Sequence, residues 1–234
     1  MKHLFIFLLF TSIAVSSQNS KITYSANLHN PKKSKADFIK THTKNASYMK
    51  FELLFNKEKS YFKYIENLLI DNSLDTTIST SPKLTRVLLG YYSPFYQNQK
   101  KQSYYTKLLD YQHYNVSQVK KTTNWVITEE QKNIKGYVCK KAYNKIFNKR
   151  SGKYITNYAW FTEEIPHSYG PIGFGGLPGV ILEFHKGKTA SYYAEKIIIN
   201  SCTDIPLDLP QGQELSSDEM TKMMRIKRYR DESS

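Results

Sequence analysis

Residues Gly170–Phe184 read GPIGFGGLPGVILEF, and the fold turns on what this run is for. It holds five of the ten glycines and two of the eight prolines of a 234-residue chain before giving way to apolar residues. A P-loop requires Gly-x4-Gly-Lys-Ser/Thr opening a helix, so that backbone N–H groups and a lysine surround the phosphates. Here no lysine or hydroxyl residue follows the glycines. A dinucleotide fingerprint requires Gly-x-Gly-x-x-Gly, but Pro178 stands where the third glycine belongs after Gly173 and Gly175. A nucleophile elbow requires Gly-x-Ser-x-Gly, and no serine lies between Gly170 and Gly179. The composition fits a fixed, irregular path between strands: glycine permits positive φ and close backbone approach, while proline sets φ and removes a donor. On this reading the turn buries Leu177. Val180, Leu182 and Phe184 then enter the core on one face, and Ile181, Glu183 and His185 occupy the other.

Strand signals continue on both sides of this loop. Downstream, Val180–His185 and Ala190–Asn200 flank Lys186-Gly187-Lys188, which suits a tight hairpin. Upstream, Asn124–Thr128 is followed by a turn, then by Gly136–Phe147, a turn at Asn148–Lys153 and a returning strand at Tyr154–Thr162. Nearer the N-terminus, Ile22–Leu28 alternates, and Met49, Phe51, Leu53 and Phe55 keep the period of two that marks a half-buried strand. Asn56–Lys59 reads as a turn and Ser60–Tyr64 as its return strand. The polar stretch Asn30–Ala46 accommodates a short helix beginning near Ser34. From Asp71 to Gln102 the periodicity fades, apart from an apolar patch at Leu84–Tyr96, making this the least regular part of the chain. Pro206 and Pro210 mark an extended exit. Ser216 and Glu219 then form an S-x-x-E capping box, with Met220, Met223 and Met224 at helical spacing and basic residues from Arg225 to Arg230 at the far end.

Short sequential strands with close turns argue an antiparallel meander. The expected fold is mainly β: an antiparallel meander forming a curved sheet or incomplete barrel with one or two short helices. Residues 18–212 are expected to form a single β-rich domain and residues 213–234 a polar helix or tail.

The N-terminus carries Lys2 and then an apolar run from Leu4 to Val15, closed by small residues at Val15 and Ser17. This pattern predicts a secretory signal over residues 1–17, with cleavage before Gln18. The run falls short of the roughly 20 residues a membrane helix needs, so the chain is expected to be exported and not integral to a membrane. Thirty-four basic residues against 20 acidic ones give a formal net charge of +14. Such a surplus favours anionic surfaces such as lipid head groups or polysaccharide, and export argues against a nucleic-acid partner. Cys139 and Cys202 permit one disulfide in an oxidising compartment, stabilising by roughly 4 kcal/mol on the chain-entropy model. Two buried free thiols account for the same residues.

The segment from Trp125 to Asn200 resembles the C-terminal half of the GLPGLI family of exported bacterial proteins, found mainly in one Gram-negative phylum. The hexapeptide that names the family stands here as Gly176–Ile181, with Val180 in place of its second leucine. Trp125, Gly136, Tyr137, Cys139, Lys141, Ala142, Trp160, Thr162, Ile165, Pro166, Gly170 and Pro171 follow the family's order. The resemblance implies export to the periplasm or cell envelope of a Gram-negative bacterium, and it implies no catalytic residue. The motif residues it singles out are Trp160, Pro166, Gly170, Pro171, Gly176, Leu177, Pro178 and Gly179.

The leading functional expectation is a non-enzymatic binding or accessory protein with an apolar or aromatic-lined cleft, whose partner is a lipid, a peptide or an envelope protein. Tyr91, Tyr92, Tyr96, Tyr104 and Tyr105 are the candidate lining, and they serve equally as packing over the core. The alternatives are an envelope hydrolase built from Glu163, Glu164, His167 and Ser168, and a scaffold docking through the Gly-rich edge. His113, His167 and His185 lack metal-site spacing, and no metal or cofactor is expected.

Overall fold

The computed structural model describes residues 19–29, 37–66, 82–98, 103–109, 112–118, 121, 123–148, 151–201 and 211–232. The expected leader over 1–17, Cys202, Pro206 and Pro210 lie outside them, as do residues 71–81 and 99–102 of the irregular stretch. Twelve strands form one sheet: β1 (Asn19–Leu28), β2 (Lys50–Phe55), β3 (Lys59–Ile65), β4 (Phe95–Asn98), β5 (Ser103–Leu109), β6 (Gln112–Ser117), β7 (Val126–Ile134), β8 (Tyr137–Asn148), β9 (Lys153–Thr162), β10 (Val180–Lys186), β11 (Ala190–Ser201) and β12 (Gln213–Ser216). Three α-helices accompany them among the described residues: α1 (Asp37–Tyr48), α2 (Pro82–Leu89) and α3 (Ser217–Glu232).

The strand order is β12-β6-β5-β4-β3-β2-β1-β11-β10-β9-β8-β7. Two meanders therefore meet at the β1–β11 pair, the first running outward from β1 to β6 and the second returning from β7 to β11. This topology forces curvature. Ten strand spacings separate β6 from β7 in that order, about 48 Å across a flat sheet at the usual 4.8 Å. The connection from Ser117 to Val126 reaches only about 31 Å when fully extended. The sheet must curl until its two halves approach, which is the incomplete barrel expected from the meander pattern. β12 arrives by a crossover and not a hairpin, and it lies parallel to β6, whereas the other described pairings are antiparallel.

The alternation read in the sequence places Ile22, Tyr24 and Ala26 of β1, Phe51 and Leu53 of β2, and Phe62 of β3 in the core. Phe51 stacks on Phe62 at 5.6 Å and meets the edges of Tyr64, Tyr91 and Tyr192. Each such pair adds about 1 kcal/mol beyond the area it buries. Helices α1 and α2 are tied by a buried hydrogen bond between His42 Nδ1 and Thr85 Oγ1 at 2.7 Å. The capping box at α3 is reciprocal: Ser216 N–H donates to Glu219 Oε2 at 2.7 Å and Glu219 N–H to Ser216 Oγ at 3.2 Å. Met220 from the same helix joins Tyr114, Val116 and Leu215 in a small second core.

The expected face assignment of β10 holds for Val180, Leu182 and Phe184 but not for Ile181, which is fully buried. The pairing of β9 with β10 shifts register between Ile181 and Glu183, a β-bulge that breaks the period of two. The bulge leaves the Ile181 carbonyl accessible to the Tyr24 hydroxyl, which donates to it at 2.6 Å across the intervening β11.

The Gly-rich loop leads into this bulge. A Cβ on Gly179 would stand 1.9 Å from the Thr162 carbonyl oxygen and 2.5 Å from its carbon. Backbone cannot yield there as a flexible side chain can. Gly179→Ala is therefore expected to destabilise by about 1–3 kcal/mol or more, read as a lowered denaturant midpoint. Gly136→Ala, whose Cβ meets nothing within 4 Å, carries only the strain of its positive φ and should cost less.

Candidate functional site

An open cleft of about 650 Å³ lies where β3 outruns its neighbour. β3 pairs with β4 only from Lys59 to Phe62, although the strand continues to Ile65. Pro94, immediately before β4, has no N–H with which to extend the ladder. The resulting notch is lined by Tyr61, Tyr64, Tyr91 and Tyr92, by Arg86 and Val87 of α2, and by the charged ends of Glu52, Lys63, Glu66 and Lys83.

The rings are held from several sides. Tyr91 is buried against Phe51 and Phe62, and its hydroxyl takes a hydrogen bond from the Tyr64 backbone. Burial pushes the Tyr91 phenol up to about 12, with the Tyr64 hydrogen bond opposing that shift, Tyr61 adding to it, and Arg86 opposing it. The Arg86 guanidinium sits 4.6 Å from the Tyr64 ring centroid, a cation–π contact. Tyr92 is 58% exposed and offers its ring to solvent. Glu52 is shared by Lys21 at 3.3 Å and Lys63 at 3.5 Å, which ties the floor of the notch across β1, β2 and β3.

Of the five tyrosines singled out in the sequence, Tyr91 and Tyr92 line the cleft. Tyr96 instead pairs across strands with Tyr61, ring to ring at 4.9 Å, and Tyr105 packs on Phe95. Tyr104 is buried on β5. Tyr61 and Tyr64 fall on a strand that reads as ordinary alternation; Tyr64 lies beyond the last β3–β4 pair at Phe62, whereas Tyr61 still pairs with Tyr96.

The motif residues gather around the Gly-rich loop, away from the cleft lining. Gly170 and Pro171 lead into a single 3₁₀ turn over Pro171–Gly173, with Ile172 at φ 45. Gly176 N–H donates to the Ser168 carbonyl at 3.0 Å, Leu177 is buried, and Pro178 is exposed. Trp160 lies on β9 under the Lys132 ammonium, 4.3 Å from its ring, and Pro166 is exposed. The β6–β7 connection is fastened to this loop. Trp125 Nε1 donates to Gly175 O at 2.7 Å, Lys121 Nζ donates to Ile172 O at 3.0 Å, and Gly175 N–H returns to Lys121 O at 3.3 Å. The Lys121 amine also lies 4.5 Å from the Phe95 ring and 5.4 Å from Phe174. Although the residue as a whole is half-buried, its amine is enclosed. Burial, and secondarily the Lys186 charge, lowers it from 10.5 to about 7.

The residues proposed for a hydrolase do not converge. Glu163 pairs with Lys140 at 3.0 Å, and Glu164 accepts the Val138 N–H at 2.8 Å. The His167 ring rests against Phe55 and Tyr169. Cys139 is a buried thiol on β8 with no disulfide partner among the described residues, pushed up to about 11 chiefly by burial. Among the described residues no group of three or more His, Cys, Asp and Glu could hold a metal ion, and no helix is long and apolar enough to cross a membrane.

Fold and cleft together define a strongly curved, mostly antiparallel open β-sheet protein with a tyrosine-lined notch. A family model described as a protein of unknown function (Porph_ging) matches residues 144–183. That segment contains Gly176–Ile181 and agrees with the GLPGLI resemblance read from the same residues. No curated protein matches the chain. Among solved structures, two crystal forms of PNGF-II are similar, with TM-scores of 0.56 and 0.55, 15% identity, and 88% of this chain covered. The matches cover 33% and 32% of those chains, so this chain spans about a third of their length, and the likeness is one of fold.

Two measurements follow from the buried groups. Lys121 binds its proton more weakly folded than unfolded, so its contribution to stability should rise with pH between about 7 and 10.5. The limit is about 1.4 kcal/mol per pH unit. Denaturant titrations should show that slope reduced in Lys121→Met, with a remainder from Lys186, which burial lowers in the same sense. Iodoacetamide at pH 8 should leave Cys139 unmodified in the native chain and alkylate it in urea without reductant. Protection that persists in urea until a reductant is added would show a disulfide to Cys202 instead.

Proposed function

We propose that the protein is an exported, envelope-associated binding or accessory protein whose ligand seats in the notch between α2 and the end of β3. The observation that carries this reading is the four-tyrosine lining with a guanidinium stacked on one ring. Tyrosine offers large contact area at low entropic cost together with a polar tip. The ligand this suits has a flat or extended apolar body and an anionic group within reach of Arg86 and Lys83. A lipid head group or an acidic peptide has that chemistry, and the N-terminal pattern and the family resemblance support the envelope as the compartment.

Native mass spectrometry of the full chain purified gently from the envelope fraction should reveal a bound mass. Tyr92→Ala should weaken rebinding of the extracted ligand by about fivefold to tenfold, the equivalent of roughly 1 kcal/mol. Bare protein under all gentle conditions, or a ligand retained equally by Tyr92→Ala and Arg86→Ala, would count against the notch.

A further inference from the structure

Away from the notch, four side chains, two on β10, one on β11 and one just past the end of β1, form one hydrogen-bonded string. Glu183 and His185 lie two residues apart on β10 and share a face. His185 pairs in register with Ser191 of β11, and Ser191 with Asn27 of β1, two residues before His29. His185 Nε2 lies 2.7 Å from Glu183 Oε1, and His185 Nδ1 lies 2.7 Å from Ser191 Oγ. His29 Nε2 lies 2.6 Å from that same hydroxyl oxygen. Lys132 Nζ holds the other Glu183 oxygen at 2.7 Å.

Proton counting gives the string a direction. Burial raises the Glu183 carboxyl, but hydrogen bonds and charge from His185 and Lys132 outweigh it and hold the group below the ordinary value. An ionised carboxylate only accepts, so His185 donates from Nε2, and in the neutral ring Nδ1 is then bare. The Ser191 hydroxyl donates its proton to that nitrogen, and its oxygen accepts the Nε2–H of His29. The serine thus has a base on its proton and a carboxylate orienting the base, which is the general signature of an activated nucleophile.

We propose that Ser191 is a nucleophile for acyl transfer from carboxylic esters, with His185 as its base, Glu183 as the positioning residue behind that base, and His29 as its cover. Ser191 Oγ forms a bond to the ester carbonyl carbon as its proton passes to His185 Nδ1. The C–O bond to the alcohol then breaks, and the leaving oxygen takes that proton. Water, losing a proton to the same nitrogen, attacks the acyl-serine, and the acid leaves as Ser191 regains its proton. Ser191 is fully buried whereas His29 is exposed, so a substrate reaches Oγ when His29 turns aside. The string shares no residue with the notch, so either proposal can fail alone.

The test uses the full chain and a fluorophosphonate probe, with adducts located by peptide mapping. One adduct at Ser191 is expected, formed about tenfold faster in His29→Ala and about a hundredfold slower in His185→Gln. Circular dichroism establishes that each variant is folded. If His29→Ala does not fold, the wild type against His185→Gln decides alone. No Ser191 adduct in any folded form, or equal rates with and without the His185 base, would overturn the proposal.

Discussion

The close approach of Gly179 to the Thr162 carbonyl is the constraint on which the rest of this structure depends. It leaves no volume for a side chain, so it fixes where β9 ends and β10 begins. From that point the bulge at Ile181–Glu183 follows, and with it the carbonyl that Tyr24 reaches from β1. The tight turn after β10, where Thr189 N–H returns to Lys186 O at 3.2 Å, then sets His185 opposite Ser191 and not one residue away. In a strand, a slip of one residue turns every side chain to the other face. Such a slip would bury Glu183 and dissolve the string of hydrogen bonds it anchors.

The loop before Gly179 has a second task, set by the topology. A twelve-stranded sheet whose sixth and seventh strands lie near opposite edges must curl to let a short connection join them. The connection then needs anchoring, and the loop supplies carbonyls for it at Ile172 and Gly175. Lys121 provides one anchor at the expense of burying an amine, which is why its proton is held weakly. Trp125 provides another without charge, since an indole N–H only donates. The two anchors differ in their response to pH, and only the first contributes a slope to stability.

The sequence made β1 to β3 and β8 to β11 legible because their alternation and turns are local, but it showed only the start of β7, which runs on to Ile134 where a turn was expected after Thr128. The capping box of α3 was legible for the same reason. β4 escaped because four residues are too few to show a period, and α2 because its apolar patch runs on into Tyr91 and Tyr92, so the start signal Ser81-Pro82 went unread. The bulge at Ile181 leaves no trace in composition. The notch was half visible: Tyr91 and Tyr92 drew notice, but Tyr61 and Tyr64 read as ordinary alternating strand residues, and only the pairing that stops at Phe62 leaves Tyr64 uncovered. Ser191 and His29 carried no local signal whatever, since three strands and two registers are needed to bring them to His185.

The charge of the chain and the charge of the notch point to different kinds of recognition. The chain carries a surplus of +14, yet the notch sets Lys63, Lys83 and Arg86 against Glu52 and Glu66, and one of those lysines is already engaged by Glu52. Long-range attraction therefore belongs to the surface as a whole and is screened within about 8 Å at physiological salt. Affinity in the notch must rest on what salt does not weaken, namely contact with the rings and short-range hydrogen bonds to their hydroxyls. An anionic surface can bring a ligand to this protein, and the tyrosines then determine whether it stays.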